Sequence, residues 1–316
     1  MNNSLTDKFK NFAFIFPALF IFSVFYIYPF IYTFILSFHR GDGISSLEFA
    51  GWSNFKEIIV YGNKDWWPSM VFGAFITLFA LTFQNILAFM LAMGVDKAIR
   101  TGKIYRIIFF ILPVLSEIII GLLMREILIS NPGILNYWLN KIGLGFFAHD
   151  WLSTKVLFNI HIGFGKFVMD APITHALITT ALVHSWKGFG WAFVILLAGL
   201  QTIPEQLYEA ARIDGANSWQ SFRKITVPML MSVIAMVIVL TILGTMQAFA
   251  MILALTRGAG GLTEVPVMRI YNHLRGNQVG LACAEGVILG VILITMSFIM
   301  LGVSKRIRRR WGVLPT

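Results

Sequence analysis

The chain has 316 residues, of which 57% are hydrophobic, 15% aromatic and only 13% charged. A soluble globular surface needs roughly 25% charged residues, and the mean hydropathy is +0.76, so lipid must be the solvent for most of the chain. The same figures exclude disorder, collagen and disulfide scaffolds; one cysteine, Cys283, forms no internal disulfide and leaves the redox compartment open.

In lipid every backbone polar group must bond internally, which leaves helices or closed barrels. Barrel strands alternate over about ten residues, whereas this sequence has continuous apolar runs near the ~20 residues that a spanning helix needs. The expected fold is an all-α membrane protein with six transmembrane helices: Phe12–Phe38, Ser69–Val95, Ile107–Leu128, Ile173–Leu200, Val227–Leu255 and Val279–Val303. The first run is longer than a signal-peptide core of 7–15 residues and lacks a small-x-small cleavage site, so it should remain as an anchor. Three regions follow: 1–68, an anchor helix and first outer loop; 69–303, the transmembrane core; and 304–316, a basic cytoplasmic tail. Trp66 and Trp67 before the second run read as an interfacial aromatic belt. The loop between the third and fourth runs opens with a turn at Asn131-Pro132-Gly133 and continues as an amphipathic stretch, Ile134 to Leu139.

The formal charge is +10, with 25 basic residues. Their placement fits membrane topology better than nucleic-acid binding. Lys8 and Lys10, the cluster from Lys97 to Arg106, Arg212, Arg223 and Lys224, and the cluster from Lys305 to Arg310 all fall on one side. The other side has its basic residues spread over longer loops, so the positive-inside bias puts both termini in the cytoplasm.

No enzyme signature survives inspection. Gly163-Phe164-Gly165-Lys166-Phe167 resembles part of a phosphate loop but lacks the four-residue spacer and the Ser or Thr after the lysine. The six histidines show no metal-ligand spacing with Cys or carboxylates, so no metal site is expected. The informative segment is the fourth loop, Ile203 to Pro228. Thr202 is suited to cap a short helix, with Pro204 in its first turn and Glu205 near its positive end. Leu207, Ala210, Ala211 and Asp214 follow helical spacing, Gly215 ends the helix where a left-handed residue is wanted, and Asn217 or Ser218 starts a second helix. Pro228 marks entry to the next run. Small residues permit close backbone approach and Glu209 and Arg212 offer rim charges, so the segment is built to dock.

These residues resemble the permease subunits of ATP-binding-cassette importers, whose EAA motif is matched by Glu209-Ala210-Ala211, Asp214-Gly215-Ala216, Ile225 and Pro228. The sugar and oligosaccharide branch, with maltose and glycerol-phosphate permeases, is the nearest in pattern; Pro113, Trp186-Lys187-Gly188, Gly199-Leu200 and Leu255-Thr256-Arg257-Gly258 add to it, over roughly Ser69 to Val303. The resemblance implies a type I importer fold in which this loop is a coupling helix seated on an ATPase. It also implies a second homologous permease, two cytoplasmic ATPase subunits that use ATP and Mg, and an extracytoplasmic solute-binding protein. The permease binds no cofactor of its own.

On the fourth run His184, Lys187, Gly188 and Trp191 share one helical face. It offers what a sugar needs: hydrogen-bonding groups, an aromatic plane and small residues for access. The maltose permeases resembled here place sugar contacts at these positions. Thr245, with Thr241, Gly244 and Ala248, forms a second small polar face on the fifth run, with Gln247 beside it; interhelical hydrogen bonding is the competing role. Glu117 and Glu285 are acids within spans and need a reason to be there: a cavity, a partner chain or a proton. With no basic partner evident, they make a thin path for the rival function, a proton- or sodium-coupled secondary sugar carrier. A scaffold whose loop recruits a partner without transport is the other rival. The segment Lys155 to Asp170 exceeds the family pattern, and its mildly basic character would suit an acidic sugar polymer.

Overall fold

The computed structural model describes residues 5–43, 47–60, 65–96, 102–129, 133–164 and 167–310. Lys8 lies in the first turns of the helix Leu5–Phe22, whereas Lys64, Lys97, Arg100, Asn131, Pro132, Gly165, Lys166 and the tail from Trp311 lie outside the described residues. The chain divides into two compact units, 1–63 with 270–291, and 64–269 with 292–316. Among the described residues, five helices are long and apolar enough to cross a membrane, and a sixth apolar segment is a bent helix pair.

In the first unit the spanning helix Lys10–Leu36 exposes its apolar side chains all round, with Phe14 88% exposed. Such a surface is tolerated only where lipid or another apolar body replaces water. Rings four residues apart lie against one another along it, Phe12 tilted on Phe16, and Phe16 on Phe20 and Tyr28 on Tyr32 stacked. Asn54, on the short helix Ser53–Ile59, is buried and donates to the carbonyls of Ser37 at 2.9 Å and His39 at 2.8 Å, tying that helix to the end of the span. The last helix, Val279–Arg310, begins in this unit, where Gly280 passes so close to the His39 carbonyl that a Cβ would overlap it.

In the second unit the helix Trp66–Asp96 includes a π-helical turn, Ala80–Gln84. Trp66 is fully buried, so the expected interfacial anchor is instead a core residue; it starts the helix and points inward. The third apolar run is not one continuous span. Gly102–Val114 and Glu117–Leu128 are separate helices, and the pair is bent by 95°. Pro113 explains the weakness: it has no N–H to return to the Phe109 carbonyl, and Ser116 then adopts an extended ψ of 133°. The second half packs on Ala250–Thr256, and Gly121 allows the approach: a Cβ there would stand 2.6 Å from both Ala254 Cβ and the Met251 carbonyl.

The amphipathic stretch forms the helix Ile134–Lys141. The segment beyond the family pattern is an antiparallel hairpin, Val156–Phe164 with Phe167–Thr174, in which His161 lies opposite Asp170 and pairs with it. Phe164 pairs with Phe167, so the phosphate-loop-like residues that are described belong to strands. Thr174 caps the next helix by accepting the Leu177 N–H at 3.2 Å. That helix, His175–Leu200, is the axis of the unit: Leu177, Ala181 and Val183 enter one apolar cluster and Phe189, Phe193, Leu196 and Leu197 a second.

The fifth span also departs from expectation. It runs from Ser218 to Met246 rather than from Val227 to Leu255. The helix passes through Pro228 by way of a π-helical turn, Phe222–Thr226, which absorbs the missing donor, and it stops at Gln247. Ala250–Thr256 is a separate short helix ended by Arg257 and Gly258 in left-handed conformations, φ 52° and 84°.

Candidate functional site

His184, Lys187, Gly188 and Trp191 are brought to one wall of a cavity of about 170 Å³. Gln84 from the second span, Pro113 and Glu117 from either side of the third-span break, and Leu240, Thr241, Gly244 and Thr245 from the fifth span complete the lining. The break places Glu117 here. It sits in the first turn of its helix, where the N-terminal dipole favours an anion.

Lys187 Nζ donates to Glu117 Oε1 at 2.7 Å, with the lysine side chain 16% and the glutamate 45% exposed. Glu285, fully buried in the other unit, likewise pairs with His273 at 2.8 Å. Both acids therefore have basic partners, contrary to the sequence expectation. Neither partner was visible as such because 70 residues separate Glu117 from Lys187 and 12 separate His273 from Glu285.

Thr245 Oγ1 meets Thr77 Oγ1 at 2.7 Å and donates to the Thr241 carbonyl at 2.8 Å. Asn85 exchanges hydrogen bonds with the Thr241 hydroxyl at 3.1 and 3.2 Å. The small polar face of the fifth span thus makes interhelical hydrogen bonds and also lines the cavity. Gln247 does neither: the helix has ended, and its φ, ψ of −99°, 3° carry it off the helical face into an exposed position. Gln84 and Asn85 escaped the sequence analysis, although two adjacent amides inside an apolar span were a signal that each needed a polar partner.

The second candidate surface is the loop helix Glu205–Ile213. Pro204, not Thr202, occupies its N-cap, because the Thr202 hydroxyl turns back to the Gly199 carbonyl at 2.7 Å. Its other end is a complete Schellman motif: Ala216 N–H reaches the Ala211 carbonyl at 2.9 Å, Gly215 N–H reaches Arg212 at 3.1 Å, and Gly215 has φ 79°. Asn217 then forms a capping box with Gln220 at 2.8 and 2.9 Å. Tyr208 Oη meets Thr226 Oγ1 at 2.9 Å, fastening the loop helix to the base of the fifth span. Glu209, Ala210, Asp214 and Gly215 are exposed and Ala211 and Ala216 half-buried, while Ile213 is 88% and Trp219 65% exposed. The result is a rigid, amphipathic projection with uncovered apolar side chains.

Residues 9–310 match the family described as binding-protein-dependent transport system inner membrane component. The chain belongs to that family. As such a component it is an inner-membrane permease rather than an enzyme. Its relatives include the multiple sugar-binding transport system permease protein of Streptococcus mutans, 27% identical over 95% of this chain and 97% of the relative. The trehalose/maltose transport system permease protein of Thermococcus litoralis is 27% identical over 96% and 99%, and the arabinooligosaccharides transport system permease protein of Bacillus subtilis 29% over 95% and 90%. The fold is similar to a chain of a bacterial alginate ABC transporter crystallised with an alginate pentasaccharide-bound periplasmic protein, with a TM-score of 0.76 at 20% identity, covering 96% of both chains. In this family member the cavity and the capped projection are carried by the same unit.

Proposed function

We propose that this chain is the membrane-spanning permease of an ATP-driven importer for a sugar or oligosaccharide. The observation that carries this reading is the exposed helix Glu205–Ile213, closed at its C-terminus by a Schellman turn, followed by the capping box of Asn217 and fixed to the fifth span through Tyr208 and Thr226. A permease that receives work from another subunit needs such a rigid contact. Glu209, Ala210, Ala211, Asp214, Gly215 and Ala216 then form the face that seats on an ATPase, one of two that use ATP and Mg. A second, homologous permease completes the pathway, and a solute-binding protein delivers the cargo. Both termini lie in the cytoplasm, consistent with the basic segments.

The sugar class is supported by the printed functions of the relatives from Streptococcus, Thermococcus and Bacillus. The cavity suits it: Trp191 supplies a plane for a ring face and His184 supplies hydrogen bonding, while Gly188 lets the fourth helix pack against Gln84. Lys187 enters this scheme through its pair with Glu117, so the wall it presents is a balanced ion pair rather than a free cation. Proteoliposomes holding the assembled transporter and its binding protein test the reading. Uptake should follow internal ATP and not an imposed proton gradient, and deletion of 203–222 should abolish co-purification of the ATPase. Uptake driven by the proton gradient alone would overturn it.

A further inference from the structure

Gln84 is 1% exposed and lines the cavity from the second span. Its amide is oriented from one side only: Nε2 donates to Asn85 Oδ1 at 3.3 Å, and Asn85 is held by Thr241. Its Oε1 has no hydrogen-bond partner, although it is fully buried. It lies against Gly188 so closely that a Cβ on that residue would overlap it. Gln84 is the last residue of the π-helical turn Ala80–Gln84, a wider turn that carries one residue more than an α-helical one. A buried acceptor without a donor costs about 1–3 kcal/mol. The geometry points to Gln84 as a substrate-contacting residue whose Oε1 accepts a hydrogen bond from a hydroxyl of an uncharged sugar ring that takes the place of Gly188 against it.

This assignment rests on the sugar-import reading and names the ligand chemistry within it. Lys187 and Glu117 satisfy each other, and Thr77, Asn85, Thr241 and Thr245 are bonded among themselves. Among the described residues that line the cavity, Gln84 Oε1 is the fully buried acceptor left over. In this conformation Gly188 covers it, so the unmet bond penalises the closed arrangement. Displacement of the fourth helix from the second, as a sugar enters, uncovers the oxygen and supplies its donor.

The test is import per ATP hydrolysed, measured in proteoliposomes with saturating binding protein. Radiolabelled maltotriose, arabinotriose, lactose and an alginate trisaccharide are screened, and the uncharged sugar best imported by the wild type is carried forward; import of the anionic alginate trisaccharide alone overturns the assignment to an uncharged ring. Gln84→Met, similar in length but without the acceptor, should lower imported sugar per ATP about tenfold. A purely structural role would reduce import and ATP hydrolysis together and leave the ratio intact. If Gln84→Met does not assemble, Gly188→Ala takes its place, because the added methyl blocks the same oxygen. A wild-type ratio in the assembled variant overturns the assignment. Absence of ATP-driven import of every sugar by the wild type overturns instead the sugar-import reading, and the Gln84 assignment with it.

Discussion

Lys187 and Glu117 form an ion pair of unequal burial, 16% against 45% exposed. Removing one partner should therefore cost differently from removing the other. Glu117→Gln strands the more buried cation, whereas Lys187→Met leaves the better solvated anion. Breaking a fully buried pair costs about 3–5 kcal/mol; partial exposure brings the expected loss here to about 1–2 kcal/mol for Glu117→Gln and less for Lys187→Met. Thermal unfolding of the two variants in detergent should show that order, and the double variant should be less destabilised than the sum. Gly190 is constrained in another way. A Cβ there would overlap the Phe109 carbonyl, the group that Pro113 leaves without its helical donor. Gly190→Ala should thus destabilise the purified protein by about 1–3 kcal/mol through forced separation of two helices, read as a lower midpoint in the same thermal assay.

The loop helix is held by short-range chemistry that can be removed piece by piece. Asn217→Ala deletes the capping box and should cost about 1 kcal/mol of local stability. Faster amide hydrogen exchange at residues 218–222 is the measurement. Gly215→Val places a β-branched residue at φ 79°, which costs on the order of 1–3 kcal/mol and spoils the Schellman turn. ATPase stimulation by the loaded binding protein should fall steeply in that variant and in Glu209→Arg, while membrane insertion is retained. Stimulation at wild-type level in both would sink the coupling role. Much of this element was legible in the sequence, because caps and left-handed turns are decided by residues three to five positions apart. Thr202 and Pro204 were the exception: two adjacent cap candidates competed, and the end of the fourth helix claimed the threonine hydroxyl. The broken third span and the early end of the fifth were not legible. Hydropathy registers only apolar length, and Leu115, Ser116 and Gln247 to Phe249 change direction without changing that signal.

For the whole molecule, the positive-inside distribution predicts a topology that reporter fusions can check. Alkaline phosphatase joined after Phe147 should be active, and joined after Ile213 inactive; the reverse pattern would refute the orientation. The sequence by itself determined that the chain lives in lipid, which stretches are apolar enough to form its long helices, and that an EAA-type helix closed by a left-handed glycine follows the fourth of them, since composition and short-range spacing suffice for each. Only the tertiary structure decided what surrounds the cavity. Gln84 against Gly188, Lys187 against Glu117 and Thr77 against Thr245 are meetings of residues 70 to 168 positions apart in the bonded cases. Such meetings depend on how the spans break and pack, and a break or a packing angle is set by which carbonyls and small residues face one another across the helices, not by any local pattern along the chain.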